Sequence, residues 1–245
     1  MRQIHPIGFQ EKFVASGIYK YGYTDDAQKP LKIIEHWSIH QLPDESHLIR
    51  SDWDARDEFG ESRLVEILRN SEANDRRVER FDIYRYLQFA STFNNYPKVT
   101  KASYIFFEDY VQIGRKTDDD RPQQTEIHFT KNVYVNPGVH ADQRFVLELA
   151  EQRTVNVAVF HPNFVLDSSE ALDGVIKDCS ASSLGLEILT ILERPLTARH
   201  YQLKCAEEIR TDYWFDEYGT LLRYDKGVMR ALLVQYARRP EPPTS

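Results

Sequence analysis

The chain has 245 residues, a formal net charge of −7, 41% hydrophobic and 28% charged residues. That is the composition of a folded globular chain long enough to bury a sizeable core, and it excludes wholesale disorder. The acidic balance, with no basic cluster longer than Arg76-Arg77 or Arg238-Arg239, argues against a nucleic-acid partner. No stretch approaches the roughly 20 apolar residues of a membrane-spanning helix.

The 14 Tyr and 13 Phe favour pleated, half-buried surfaces. Only 10 glycines are present, so turns must lean on Asp, Asn, Ser and Pro. The start, Met1 to Pro6, lacks the apolar run of a signal peptide. The two cysteines, Cys179 and Cys205, read as free buried thiols of a cytoplasmic protein, with a single bond between them as the alternative.

Period-two patterning runs along the chain. Phe13 to Tyr23 puts Phe13, Ala15, Gly17, Tyr19, Tyr21 and Tyr23 on one face. After a turn through Asp25, Asp26 and Pro30 comes Leu31 to Leu42, with Leu31, Ile33, Glu35, Trp37 and Ile39 together and Ile34, His36, Ser38 and His40 opposite. His47 to Asp54, a turn at Glu58-Phe59-Gly60, Ser62 to Arg69, a turn at Asn70 to Asp75, and Val78 to Phe89 follow. In the last of these, Phe81, Ile83, Leu87 and Phe89 oppose Tyr84 and Tyr86. A long strand over Lys101 to Gly114, a hairpin tip at Asp118 to Pro122 and a partner strand over Thr125 to Val135 are expected next. Short turns between successive strands mark an antiparallel meander rather than β-α-β units.

Ala141 to Arg153 fits either helix or strand. Thr154 to Phe160 reads as a strand ending at His161-Pro162-Asn163. Asp167 to Asp178 reads as a short helix capped by Ser168 or Ser169. Strands resume at Leu184 to Leu192, Ala198 to Cys205, Thr211 to Phe215, Thr220 to Tyr224 and Met229 to Ala237. With no repeat and no linker, residues 1–239 read as a single β domain and the Pro-rich residues 240–245 as a disordered tail. The expected fold is mainly β: one strongly curved antiparallel sheet, a half-barrel or open barrel, with one or two short helices.

The turn Asp216 to Gly219 between Trp214 and Leu221 makes a W-x-D-x-x-G-x-L hairpin, in which Trp214 and Leu221 are expected to pack across two strands. This hairpin resembles the closing strands of the lipoprotein-carrier (LolA/LolB-like) superfamily and related half-barrel families. The resemblance covers about thirty residues. It implies an incomplete barrel, partly closed by a helix, around an apolar interior that accommodates acyl chains or other apolar ligands. The carriers are periplasmic and carry signal peptides, so the resemblance implies the fold and not lipoprotein transport.

Candidate binding residues are the aromatic stripes: Tyr19, Tyr21 and Trp37; Tyr84 and Tyr86; Tyr104, Phe106 and Tyr110. Tyrosine offers an apolar wall with a hydroxyl that can orient a polar ligand end. Candidate acid–base residues are His36, His40, His161, Glu35 and Glu108, since a carboxylate or histidine on a concave apolar face is costly unless it is used or paired. His36 and His40 stand about 13 Å apart along one strand, too far to share a metal. Asp52, Trp53, Asp54, Arg56 and Asp57 form a charged cluster expected to be solvated. No phosphate loop, dinucleotide fingerprint, G-x-S-x-G elbow, HExxH or CxxC is present, so neither cofactor nor metal is expected. The expected function is binding of an apolar or amphipathic small molecule, lipid, pigment or isoprenoid-like. An enzyme of cyclase, isomerase or lyase type on a hydrophobic substrate, and a protein–protein scaffold, are the alternatives.

Overall fold

The computed structural model describes residues 8–25, 30–70, 78–88, 97–118, 120–130, 133–151, 156–164, 171–206 and 208–239. Their strands form one 15-stranded sheet that does not close on itself. It consists of two meanders. The first arm comprises β1 (Lys12–Tyr23), β2 (Pro30–Gln41), β3 (His47–Ala55), β4 (Glu61–Arg69), β5 (Val78–Leu87), β6 (Lys98–Phe106), β7 (Tyr110–Thr117) and β8 (Gln123–His128). The second comprises β9 (Tyr134–Val135), β10 (Val157–Pro162), β11 (Gly174–Ile191), β12 (Arg194–Cys205), β13 (Thr211–Phe215), β14 (Leu221–Lys226) and β15 (Met229–Arg238). The arms join where the first strand pairs with the last, β1 with β15. Every pairing is antiparallel except that of β9 with β10. The curved, antiparallel-dominated sheet expected from the alternation is therefore present, with two short helices, α1 (Arg56–Phe59) and α2 (Phe145–Glu151). No helix among the described residues is long and apolar enough to cross a membrane.

The sheet rolls so that its two ends meet the same core. Val111 and Ile113 of β7 and Val135 of β9 belong to one buried cluster with Phe81, Tyr104 and Phe160, and Ile127 of β8 packs against it. Phe81 stacks on Tyr104 at 4.2 Å, and Phe160 of the second arm meets both rings edge-on. Tyr104 donates its hydroxyl to the carbonyl of Leu172, and Arg115 bonds the Ala171 carbonyl and pairs with Asp173 at 3.0 Å. The β10–β11 connection is thus pinned against β6 and β7. A second cluster gathers Tyr19, Tyr21 and Trp37 with α2 (Phe145, Val146, Leu149) and the inner faces of β12 to β15. At the seam, Gly17 lies opposite Trp37, and a Cβ there would sit 2.6 Å from the indole ring.

Several local expectations are corrected. The strand expected over Lys101 to Gly114 is two strands, β6 and β7, with Glu108 and Asp109 in the exposed turn between them. The expected partner strand ends at His128, and Tyr134–Val135 pairs at the opposite end of the sheet. The helix expected over Asp167 to Asp178 is not there in its described part: Ala171 and Leu172 form a turn, and β11 starts at Gly174. Its β-branched Val175 and Ile176 pair with His161 and Phe160, and that pairing outweighs a favourable capping sequence. The ambiguous Ala141 to Arg153 contains α2, whose apolar side docks on β11 and β12. Residues 71–75, Phe89, Asn94, Asn95, residues 167–170 and the tail from Pro240 lie outside the described residues.

Cys179 and Cys205 lie directly opposite each other on β11 and β12 and are joined in a disulfide, which replaces the two free thiols expected. The hairpin at Asp216 to Gly219 forms as read: the Asp216 carboxylate accepts the backbone N–H of Tyr218 and Thr220, and Gly219 takes φ 77°. Its cross-strand partners differ, however. Leu221 lies opposite Phe215, whereas Trp214 lies opposite Arg223, whose guanidinium covers the indole at 4.3 Å.

Candidate functional site

Strand alternation sorts the candidate residues by face. Tyr19, Tyr21, Glu35, Trp37, Tyr104 and Phe106 point inward. Tyr84, Tyr86 and Tyr110 do not line the interior: Tyr84 is 44% exposed under Lys101, Tyr86 shares its face, and Tyr110 stacks outside on the exposed Phe107. The physical reason is parity: on β5 and β7 the inward positions are held by Phe81, Ile83, Val111 and Ile113. His36 is on the outer face of β2 opposite Asp52. His40 is buried beside Phe13 with Nδ1 3.2 Å from the Glu11 carboxylate, away from the Glu35 cluster. Glu108 is exposed in a turn and has no place in the interior.

Glu35 is the acid–base candidate that the fold singles out. Fully buried on β2, it accepts hydrogen bonds from the Tyr21 hydroxyl (2.9 Å), the Ser51 hydroxyl (2.7 Å) and the backbone N–H of His140 (3.0 Å). The Nδ1 of His140 lies 2.7 Å from Glu35 and 2.8 Å from the Tyr21 hydroxyl. Burial alone would raise the Glu35 pKa. The charge and hydrogen bond of His140, with those of Ser51 and Tyr21, outweigh it and leave the carboxyl below its ordinary value. An ionised Glu35 accepts, so the Nδ1 of His140 carries the proton. Its Nε2 has no hydrogen-bond partner among the described residues. The imidazole packs against Tyr19, Tyr21 and Tyr224. Burial, with the nearby Glu35 charge, drives the hydroxyls of Tyr19 and Tyr21 well above their ordinary pKa.

Glu35 belongs to a row. Strand register places Tyr19, Glu35, Trp53, Arg63, Arg85 and Thr100 side by side on six adjacent strands, all on the inward face. Such a line of polar groups crosses a wall that is otherwise apolar. Arg63 and Arg85 share one carboxylate, Glu61. Arg85 is 1% exposed, binds Glu61 at 2.8 Å and also donates to the Phe164 carbonyl at 3.1 Å. The Arg63 guanidinium is held between the rings of Trp53 (4.5 Å) and Phe164 (3.9 Å) and keeps 18% of its side chain open to solvent. Burial lowers the Arg63 pKa against the pull of Glu61, but not enough to discharge a guanidinium. Nearby, Arg69 forms a two-pronged pair with Asp142, a few residues from His140. Together Glu35 and Arg69 bind the segment that runs from β9 to α2 onto the first arm.

His161, the remaining candidate, ends β10 beside the disulfide, with Nε2 3.8 Å from Cys179 Sγ. Burial, followed by the nearby Lys177, lowers its pKa to about 4. Trp53, taken with its acidic neighbours as solvated, instead faces inward, while Asp54 pairs with Arg56 outside. Reasoning from the sequence missed His140, Arg63, Arg85 and Glu61. A signal existed for the last three: Glu61, Arg63, Val65, Ile67 and Arg69 alternate on one face of β4, and Arg85 alternates with Phe81, Ile83 and Leu87 on β5, core patterns interrupted by charge. No such signal marks His140, which arrives from a loop.

No family model matches the chain, and no curated protein matches it. A solved structure does: a β-barrel-like protein of domain of unknown function DUF1849 from Brucella abortus, 11% identical, aligned over 94% of this chain and 99% of that one with a TM-score of 0.56. At that identity the likeness concerns the fold, which both chains share as a barrel-like β architecture.

Proposed function

We propose that the protein binds an amphipathic small molecule whose acidic head lies against Arg63 and whose apolar body runs along the inward aromatic wall. One observation carries the reading: two guanidiniums converge on one carboxylate inside an aromatic-lined sheet, and one of them lies over two rings with part of its side chain open to solvent. A carboxylate or phosphate monoester suits the Arg63 guanidinium, which is planar, held by two rings and partly open to solvent. The barrel-like fold and the half-barrel resemblance of the Trp214 hairpin support the apolar part of this reading. A cytoplasmic setting and the absence of a nucleic-acid partner belong to the same proposal.

The test is a thermal-shift and native mass spectrometry titration with a long-chain fatty acid and its fatty alcohol. The acid is expected to raise the melting temperature and to bind one per chain, the alcohol at least tenfold more weakly. Arg63→Met is expected to erase the difference between the two. Protein that ignores both amphiphiles disproves the proposal.

A second reading, an enzyme acting on a hydrophobic substrate, is favoured by the Glu35–His140 pair. A carboxylate fixing one imidazole nitrogen holds the other in place for proton transfer. If it operates, turnover of such a substrate must fall by orders of magnitude in Glu35→Gln while fatty-acid binding persists.

A further inference from the structure

Away from the polar row, three strands bring together a group of side chains that no sequence spacing announces. His161 comes from β10, Cys179 from β11 and Cys205 from β12, and one ligand atom from each lies within 4.8 Å of the other two. Cys179 is fully buried and Cys205 is 4% exposed. Cys205 ends its strand, just before the turn at Ala206, where local opening costs least.

We propose that this disulfide is the closed form of a redox-gated metal site: once reduced, Cys179, Cys205 and His161 bind one soft or borderline divalent cation of the zinc type. Two thiolates and an imidazole are a zinc donor set, and three protein ligands leave a fourth position for water. Geometry supports this assignment. With Zn–S about 2.3 Å and Zn–N about 2.0 Å, ligand atoms of a tetrahedral shell stand about 3.6–3.8 Å apart. The His161 Nε2 to Cys179 Sγ distance is already 3.8 Å. The two sulfurs must separate and Cys205 must settle at a similar distance from His161, within 4.8 Å of which its sulfur already lies; facing positions on neighbouring strands allow that by side-chain rotation without a change of register.

The chemistry balances with a dithiol reductant as co-reactant. One of its thiolates attacks a sulfur of the Cys179–Cys205 bond. The mixed disulfide then resolves onto the second reductant thiol, which leaves two protein thiols and an oxidised reductant. The cation displaces the two thiol protons and takes the imidazole nitrogen as third ligand. In an oxidising environment the pair is a covalent staple of the second arm; in a reducing one, the metal takes over the same cross-link.

The full chain, reduced with a phosphine under argon and desalted, is titrated with Co²⁺ and then Zn²⁺. One equivalent of Co²⁺ with a thiolate-to-cobalt charge-transfer band, displaced by Zn²⁺, is expected for reduced protein, and no binding for the oxidised form. His161→Gln is expected to retain two titratable thiols but to bind Zn²⁺ at least tenfold more weakly. Cys179→Ser is expected to abolish the band. Circular dichroism on the same samples follows the sheet. A reduced chain that stays folded and takes up no metal overturns the proposal. So does a His161→Gln variant that binds as the parent does, or a reduced chain that unfolds and is not restored by Zn²⁺.

Discussion

The two arms of the sheet solve the same problem differently. The inward face of the first arm carries Glu35, Glu61, Arg63, Arg69, Arg85 and Arg115, every one of them in an ion pair or hydrogen-bonded cluster. In the second arm, Leu203, Tyr213, Phe215, Leu221, Ala231 and Leu233 build an apolar core, stapled by a disulfide. Its charged network, in which His200 joins Glu187 and Asp212 and Arg223 and Arg230 share Asp225, lies nearer solvent. An apolar core holds without reference to partners. A buried charge holds only while its counter-charge is there, so the stability of the first arm depends on its polar row staying paired.

Breaking that row should have the largest effect. Glu61→Gln leaves two inward guanidiniums without their carboxylate and is expected to cost about 3–5 kcal/mol in urea unfolding, as for any buried pair cut on one side. The double change Glu61→Leu with Arg85→Met should recover much of that loss. If Glu61→Gln is as mild as a surface change, the contrast between the arms is void. Next comes the staple. Cys179 and Cys205 are 26 residues apart, so replacing both by Ala is expected to cost roughly 3–4 kcal/mol by loop-closure entropy. The expected readout is a lower urea midpoint under non-reducing conditions, matched by reducing the parent protein in the presence of a chelator.

Smaller changes test which face a tyrosine occupies. Tyr104→Phe strands the Leu172 carbonyl and should cost about 1–3 kcal/mol, whereas Tyr84→Phe on the outer face should stay within about 0.5 kcal/mol. Equal effects would contradict the inside–outside assignment. The gentlest probe is pH. Because the folded-state pKa of Glu35 is depressed, its contribution is complete above the ordinary carboxylate value of 4.5 and is lost as pH falls through the lower, folded value. Glu35→Gln is expected to be less stable at neutral pH and to lose less stability on acidification. An unchanged acid limb would show that Glu35 is not the ionised centre of the cluster.

Much of the fold was legible because alternation and turn chemistry are local. The inward set Tyr19, Tyr21, Glu35 and Trp37 follows from period two, and the Asp216–Gly219 turn from residues that suit it. Errors fell where a local preference was overruled. From Ala171 on, the helix expected over Asp167 to Asp178 gives way to a turn and to strand pairing by Val175 and Ile176, and Tyr84, Tyr86 and Tyr110, expected to line the interior, face outward, since parity alone does not say which face is the inside.

The sequence by itself determined that the chain is an antiparallel meander, where most of its first strands run, and turns such as Asp216 to Gly219. Only the tertiary structure decided that β1 closes on β15, that six strands align Glu35, Arg63 and Arg85 in one row, and that His140 reaches Glu35 across 105 positions. It also decided that Cys179 and Cys205 meet at one register position beside His161. The reason is that alternation is written in neighbouring residues, whereas register and closure come from contacts between residues far apart in the chain.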